Sequence, residues 1–82
     1  MLVPHFFLNL HECGRVITDE EGFDFASADD ARDEAIRSAR EIMCAGLHDG
    51  TLCLGCHIEV VDAERVPLFV VPFRDTVTLS DG

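Results

Sequence analysis

Cys53, Cys56 and His57 stand in the order Cys-x-x-Cys-His. Two thiols and an imidazole at this spacing serve three chemistries: haem attachment through paired thioethers, tetrahedral zinc binding and dithiol–disulfide exchange. Haem attachment calls for an export route and a pocket that one small core hardly supplies. Zinc needs a fourth donor from among Cys13, Cys44, His48, His5 and His11, because no second Cys-x-x-Cys or His-x-x-x-His is present. A thioredoxin-like pair should open a helix after a strand, whereas this pair leads into an alternating, strand-like segment. If residues 53–57 are extended, Cys53 and Cys56 point to opposite faces and cannot share an ion. Only a turn centred on Leu54 and Gly55 would bring them together. Free thiols are therefore the expected state of all four cysteines.

The remaining titratable groups assemble no catalytic set. His5 and His11, six residues apart, share one face of a strand, and His57 and Glu59 share one face of another. A histidine beside a carboxylate can act as acid and base, but no glycine-rich loop, nucleophile elbow or carboxylate pair accompanies them. Asp19, Glu20, Glu21 and Asp24 lack the alternating oxygen ligands and closing glutamate of a calcium loop. They read as a solvated turn, and a non-catalytic role is expected.

The elements that must hold these groups follow from periodicity. Residues 3–11 alternate as a strand, with Phe6, Leu8 and Leu10 on one face and His5, Phe7, Asn9 and His11 on the other. Cys13 and Gly14 make a turn into a short strand over 15–18. Residues 23–26 are a connector. Ser27, with Asp30 three residues on, approximates a capping box. The apolar stripe of Ala28, Ala31, Ala35, Ala39, Ile42 and Gly46 then predicts an amphipathic helix that Asp49 and Gly50 end. Residues 56–61 and 66–71 form further strands, the last bounded by Pro67 and Pro72 in the manner of an edge. Residues 73–80 are either another edge strand or a docked tail. The expected fold is α+β: a two-layer ββαββ domain, a mostly antiparallel four-stranded sheet with one long helix on one face.

The chain has 82 residues, with 16 acidic side chains against six arginines and no lysine, for a formal net charge of -10. One domain over residues 1–82 exhausts that length. The charge opposes nucleic acid, where affinity comes from Lys and Arg on phosphates, and anionic membranes; a basic protein partner fits it better. Hydrophobic residues at 48% suffice for a folded core. No run reaches the roughly 18 to 20 apolar residues of a membrane-spanning helix, and residues 2–10 lack the basic region and cleavage site of a signal peptide. A cytoplasmic location is expected, which agrees with reduced cysteines.

The segments Pro4-His5-Phe6-Phe7, Gly14-Arg15-Val16-Ile17, Asp19-Glu20-Glu21-Gly22, Asp30-Ala31-Arg32-Asp33-Glu34-Ala35, Ile58-Glu59-Val60 and Pro72-Phe73-Arg74-Asp75 follow one another in an order that resembles an uncharacterised family of short bacterial proteins known only as a domain of unknown function. That resemblance carries over no site residue. A hairpin followed by an alanine-rich helix is also similar in topology to small antitoxin domains of the HicB type, which bind a basic toxin.

Four strands covered by one helix leave the other sheet face without a partner. That face would carry Phe7 and Val61, joined by Ile17 and by residues from Phe69, Val71 and Phe73, with His5, Asn9, His11, His57 and Glu59 at its rim. An apolar patch so rimmed suits a homodimer or a protein partner, and edge strands offer a second route. The expected function is a non-catalytic interaction or regulatory module without a cofactor. The alternative is a small zinc-binding or thiol redox protein built on Cys53, Cys56 and His57.

Overall fold

The computed structural model describes residues 4–12 and 14–80. Val3 and Cys13, expected in the first strand and its turn, lie outside them. Strand β1 spans His5–Glu12, β2 Arg15–Ile17 and β3 Phe23–Asp24; helix α1 spans Ala28–His48; β4 spans His57–Asp62 and β5 Pro67–Pro72; a 3-10 turn covers Phe73–Thr76. The strands run antiparallel in the order β2-β1-β4-β5, and β3 also pairs with β1. The fold is α+β with one helix on the sheet, as the periodicity implies, but the sheet has five strands rather than four. The expected connector contributes β3, whose Phe23 and Asp24 face Phe6 and His5.

β4 occupies one edge of β1 over Phe6–His11, so β2 and β3 share the other edge, and residues 18–22 bulge out between them. Asp19 fills that gap in the ladder. Its carboxylate accepts hydrogen bonds from the backbone N–H of Leu8 at 3.1 Å and of Gly22 at 2.9 Å, and its own N–H donates to Asn9 Oδ1 at 2.9 Å. Gly22 has a φ of 70°, and a Cβ there would sit 2.5 Å from the carbonyl oxygen of Phe6. Only glycine fits both demands.

Ser27 caps α1 by accepting from the N–H of Asp30 at 3.2 Å, and Asp29 and Asp30 sit at the positive end of the helix dipole. Ala31, Ala35 and Ala39 are fully buried beneath the helix; their small side chains bring its backbone close to β4, β5 and the 3-10 turn. There they meet Phe6, Ile58, Val60, Val71 and Phe73 in one core cluster. Val71 and Phe73 therefore belong to the covered face, and Phe69 packs against the same cluster with the Arg32 guanidinium 4.8 Å from its ring centre. The expectation that residues from these three join the open face is corrected by register: Ile58 lies opposite Val71 and Val60 opposite Phe69.

The tail docks rather than extending the sheet. Phe73 donates its N–H to the carbonyl of Cys56 at 2.9 Å, Thr76 caps the Phe73 carbonyl with its hydroxyl, and Arg40 holds the Thr76 carbonyl at 2.8 Å. At the other end of the helix, Gly46 lets residue 51 cross closely, since a Cβ would stand 2.7 Å from the Thr51 carbonyl oxygen. Thr51 donates to the Gly46 carbonyl at 2.8 Å there. Among the described residues no helix is long and apolar enough to cross a membrane.

Candidate functional site

Alternation along β1 and β4 places His5, Phe7, Asn9 and His11 on the same outer face as His57, Glu59 and Val61. His11 lies opposite His57, and their imidazoles stack with centres 4.4 Å apart and planes 14° from parallel. Glu59 Oε1 stands 3.6 Å from His11 Nε2 and accepts from Asn9 Nδ2 at 3.4 Å. That His11 nitrogen is buried without a hydrogen-bond partner. The centre of the face is thus a small polar cluster.

The apolar end of this face is closed within the chain. Phe7 is 8% exposed and Val61 2%, and Arg65 folds back over Phe7 from the turn after β4. Its guanidinium carbon sits 3.6 Å from the centre of the Phe7 ring, and its Nη1 donates to the Asp19 carbonyl at 2.9 Å. The turn that aims it is held by the Asp62 carboxylate, which accepts from the N–H groups of Glu64 and Val66, with Arg65 itself in the left-handed region at φ 68°. What remains open on this face is different: Val16 opposite His11 and Val70 opposite Glu59, 55% and 47% exposed. Ile17, expected here, pairs with Leu10 and lies on the helix side instead. Alternation alone could not tell Val16 from Ile17; the pairing register decides it.

His5 works as a pin at the margin of the face. Its Nδ1 lies 2.6 Å from Asp24 Oδ1 and its Nε2 2.8 Å from the Glu21 carbonyl. Both partners are acceptors, so the imidazolium, which donates from both nitrogens, is the favoured form. The hydrogen bond to Asp24, with that to the Glu21 carbonyl second, raises the His5 pKa above its ordinary value.

The Cys-x-x-Cys-His segment divides in two. A bend at Leu54 and Gly55 brings Cys53 and Cys56 together with their Cα atoms 6.0 Å apart, and the two form a disulfide. The expectation of free thiols is overturned for this pair, because residues 53–56 turn instead of extending; β4 begins only at His57. Cys56 is buried in the core cluster and Cys53 packs against it, whereas His57 stacks on His11 across the sheet. The histidine and the two sulfurs therefore lie on opposite faces, and the three-residue metal set is not assembled. Among the described residues no group of three or more His, Cys, Asp or Glu is placed to hold a metal ion. Cys44 is free and exposed.

A third feature gave no signal in the sequence. Because α1 leans over β4, β5 and the 3-10 turn, the helix side of β1 stays partly open toward β2, and Leu8 and Leu10 are only half-buried. Between them and the helix runs an open cleft of about 510 Å³. Leu8, Leu10, Ile17, Phe23, Ile42 and Ile58 line it, and Asp19, Glu20 and Glu21 form its lip.

A one-helix α+β domain with a covered face, an open face bearing a histidine pair and an acid-lipped cleft is the class these features define. The chain belongs to the family described as a domain of unknown function, DUF6894, whose model matches residues 5–74. No match was found among curated proteins or solved structures.

Proposed function

We propose that the protein is a cytoplasmic, non-catalytic interaction module that pairs with a second copy of itself through the outer face of the sheet. The observation that carries this reading is the composition of that face. Val16 and Val70 stand exposed on either side of the His11–His57 stack, a mixed apolar and polar surface with few carboxylates on a chain whose net charge is -10. Its carboxylates have partners in place: Glu59 accepts from Asn9, Asp24 holds His5, and Arg65 adds a positive charge over Phe7. Two strongly acidic chains repel over most of their surfaces, and this is where they can meet. Light scattering across a dilution series tests it. The expected result is a dimer that Val16→Glu and Val70→Glu each convert to monomer; a concentration-independent monomer mass for the unmodified chain sinks the proposal.

A second reading has its own observation, the Cys53–Cys56 bond. In a reducing compartment such a bond is more often a working redox couple than a fixed staple. Two thiols would lose two electrons and two protons to a glutathione-class disulfide, which leaves as two thiols. Alkylation and intact mass after equilibration in glutathione buffers read the couple. Interconversion within the cytosolic range, roughly -220 to -320 mV, supports it, and a pair that stays in one form throughout excludes it.

A further inference from the structure

The cleft beside β2 has no role in the outer-face contact, since it opens on the helix side of the sheet. Its floor is apolar, with Leu8 and Leu10 half-buried, Ile17 and Phe23 45% and 51% exposed, and Ile42 contributed by α1. Its lip is acidic: Glu20 and Glu21 are both exposed, the salt bridges among the described residues involve neither carboxylate, and Arg65 and His5 contact the loop only through the backbone carbonyls of Asp19 and Glu21. Arg15 is engaged by Glu12, and Arg37 by Glu34 and Glu41.

A second copy of this chain is a poor occupant. It carries no lysine and 16 carboxylates, so it would bring like charge to the lip.

We propose that the cleft binds a basic amphipathic segment of a different protein, whose large apolar side chains sit on Leu8, Leu10, Ile17 and Ile42 while its Lys or Arg side chains meet Glu20 and Glu21. The inference deepens the interaction reading and rests on it only in taking the protein to be a binding module. The cleft is of a size that admits a few large side chains, and the division of labour is that of helix-in-groove recognition, apolar anchors for affinity and rim charges for steering. The acidic turn thereby has a partner-facing role on one side, while Asp19 holds the loop on the other.

The test uses the full chain and a labelled synthetic peptide of about 14 residues, roughly four helical turns, with leucines on one face and lysines on the other. A second peptide carries the same leucines with glutamates. Fluorescence anisotropy is expected to show binding of the basic peptide alone, weakening as salt is raised. Glu20→Gln with Glu21→Gln is expected to weaken it roughly fivefold or more, and Leu79→Gln, exposed and lining neither surface, to leave it unchanged. Ile42→Glu, on the cleft floor, is expected to abolish binding; the loop variants lie on exposed positions and keep the fold, so their result stands if Ile42→Glu fails to fold. Equal binding of both peptides, or no effect of the glutamine pair, overturns the proposal. If the chain dimerises through its outer face yet ignores the basic peptide, the cleft proposal falls and the interaction reading survives; a monomer that binds no peptide ends both.

Discussion

Beneath the helix, Phe6, Ile58, Val60, Val71 and Phe73 press against Ala31, Ala35 and Ala39, while on the opposite side of the same strands Phe7 is covered by one arginine and the loop over residues 18–22. The first arrangement uses a repeated pattern of small and large apolar residues that close backbone approach makes possible. The second uses particular atoms: a guanidinium over a ring, its Nη1 on the Asp19 carbonyl, and a carboxylate standing in for a missing strand. Burial of the first kind is spread over many contacts and survives small changes, whereas burial of the second kind depends on single residues. The difference also separates what each side leaves open: beneath the helix only the cleft beside β2 stays accessible, whereas the face closed by polar devices keeps exposed valines and paired histidines.

The largest test of this contrast falls on the packed side. Phe73→Ala removes a ring that is 1% exposed and should cost about 3 to 5 kcal/mol in urea unfolding, whereas Val70→Ala on the outer face should stay near about 0.5 kcal/mol. Equal losses would mean that the two faces are not built differently. Next in size is Gly22→Ala, which must take a left-handed φ and push against the Phe6 carbonyl; about 1 to 3 kcal/mol is expected, with loss of the hydrogen-exchange protection of the Leu8 N–H. Arg65→Ala should cost about 1 to 2 kcal/mol through the stripped Phe7 ring and the lost hydrogen bond, and should increase binding of a hydrophobic dye. Arg65→Lys should recover only part of it, since an ammonium cannot both stack flat and reach Asp19.

The smallest effect is a pH dependence. The His5 pKa is raised from its ordinary value of 6.5 in the folded chain. Its stabilisation is therefore complete below the unfolded value and is lost as pH climbs from there through the raised one. Unfolding midpoints should fall slightly over that interval in the unmodified chain, and the change should flatten in His5→Gln.

Much of the packed side was legible in the sequence. The alanine spacing, the Ser27 cap and the alternation of Phe6, Leu8 and Leu10 repeat, and repetition survives small errors of register. The other side rests on features that occur once. β3 has two residues, too few for any periodicity. Asp19 completes a ladder through its side chain, so its role appears only when Leu8 and Gly22 are seen beside it. Arg65 lies 46 positions from its hydrogen-bond acceptor. The Cys53–Cys56 bond hinges on a bend at Gly55 that the strand-like run after it conceals. The open face is expected to draw residues from Phe69, Val71 and Phe73, and it draws none, because a two-residue period gives two classes of side chain without saying which is inside; the pairing of Ile58 with Val71 decides it.

The interruption of β1 by residues 18–22 bears on how the chain avoids fibrils. A strand with valines and phenylalanines on both faces is a template for runaway addition of further strands. Here the β1 edge is split into two short pairings with a carboxylate on the Leu8 N–H between them, so no incoming strand finds an uninterrupted row of donors and acceptors. At the far side of the sheet, β5 begins and ends in Pro67 and Pro72, which have no N–H to offer. Extension of the sheet is thereby hindered at both edges.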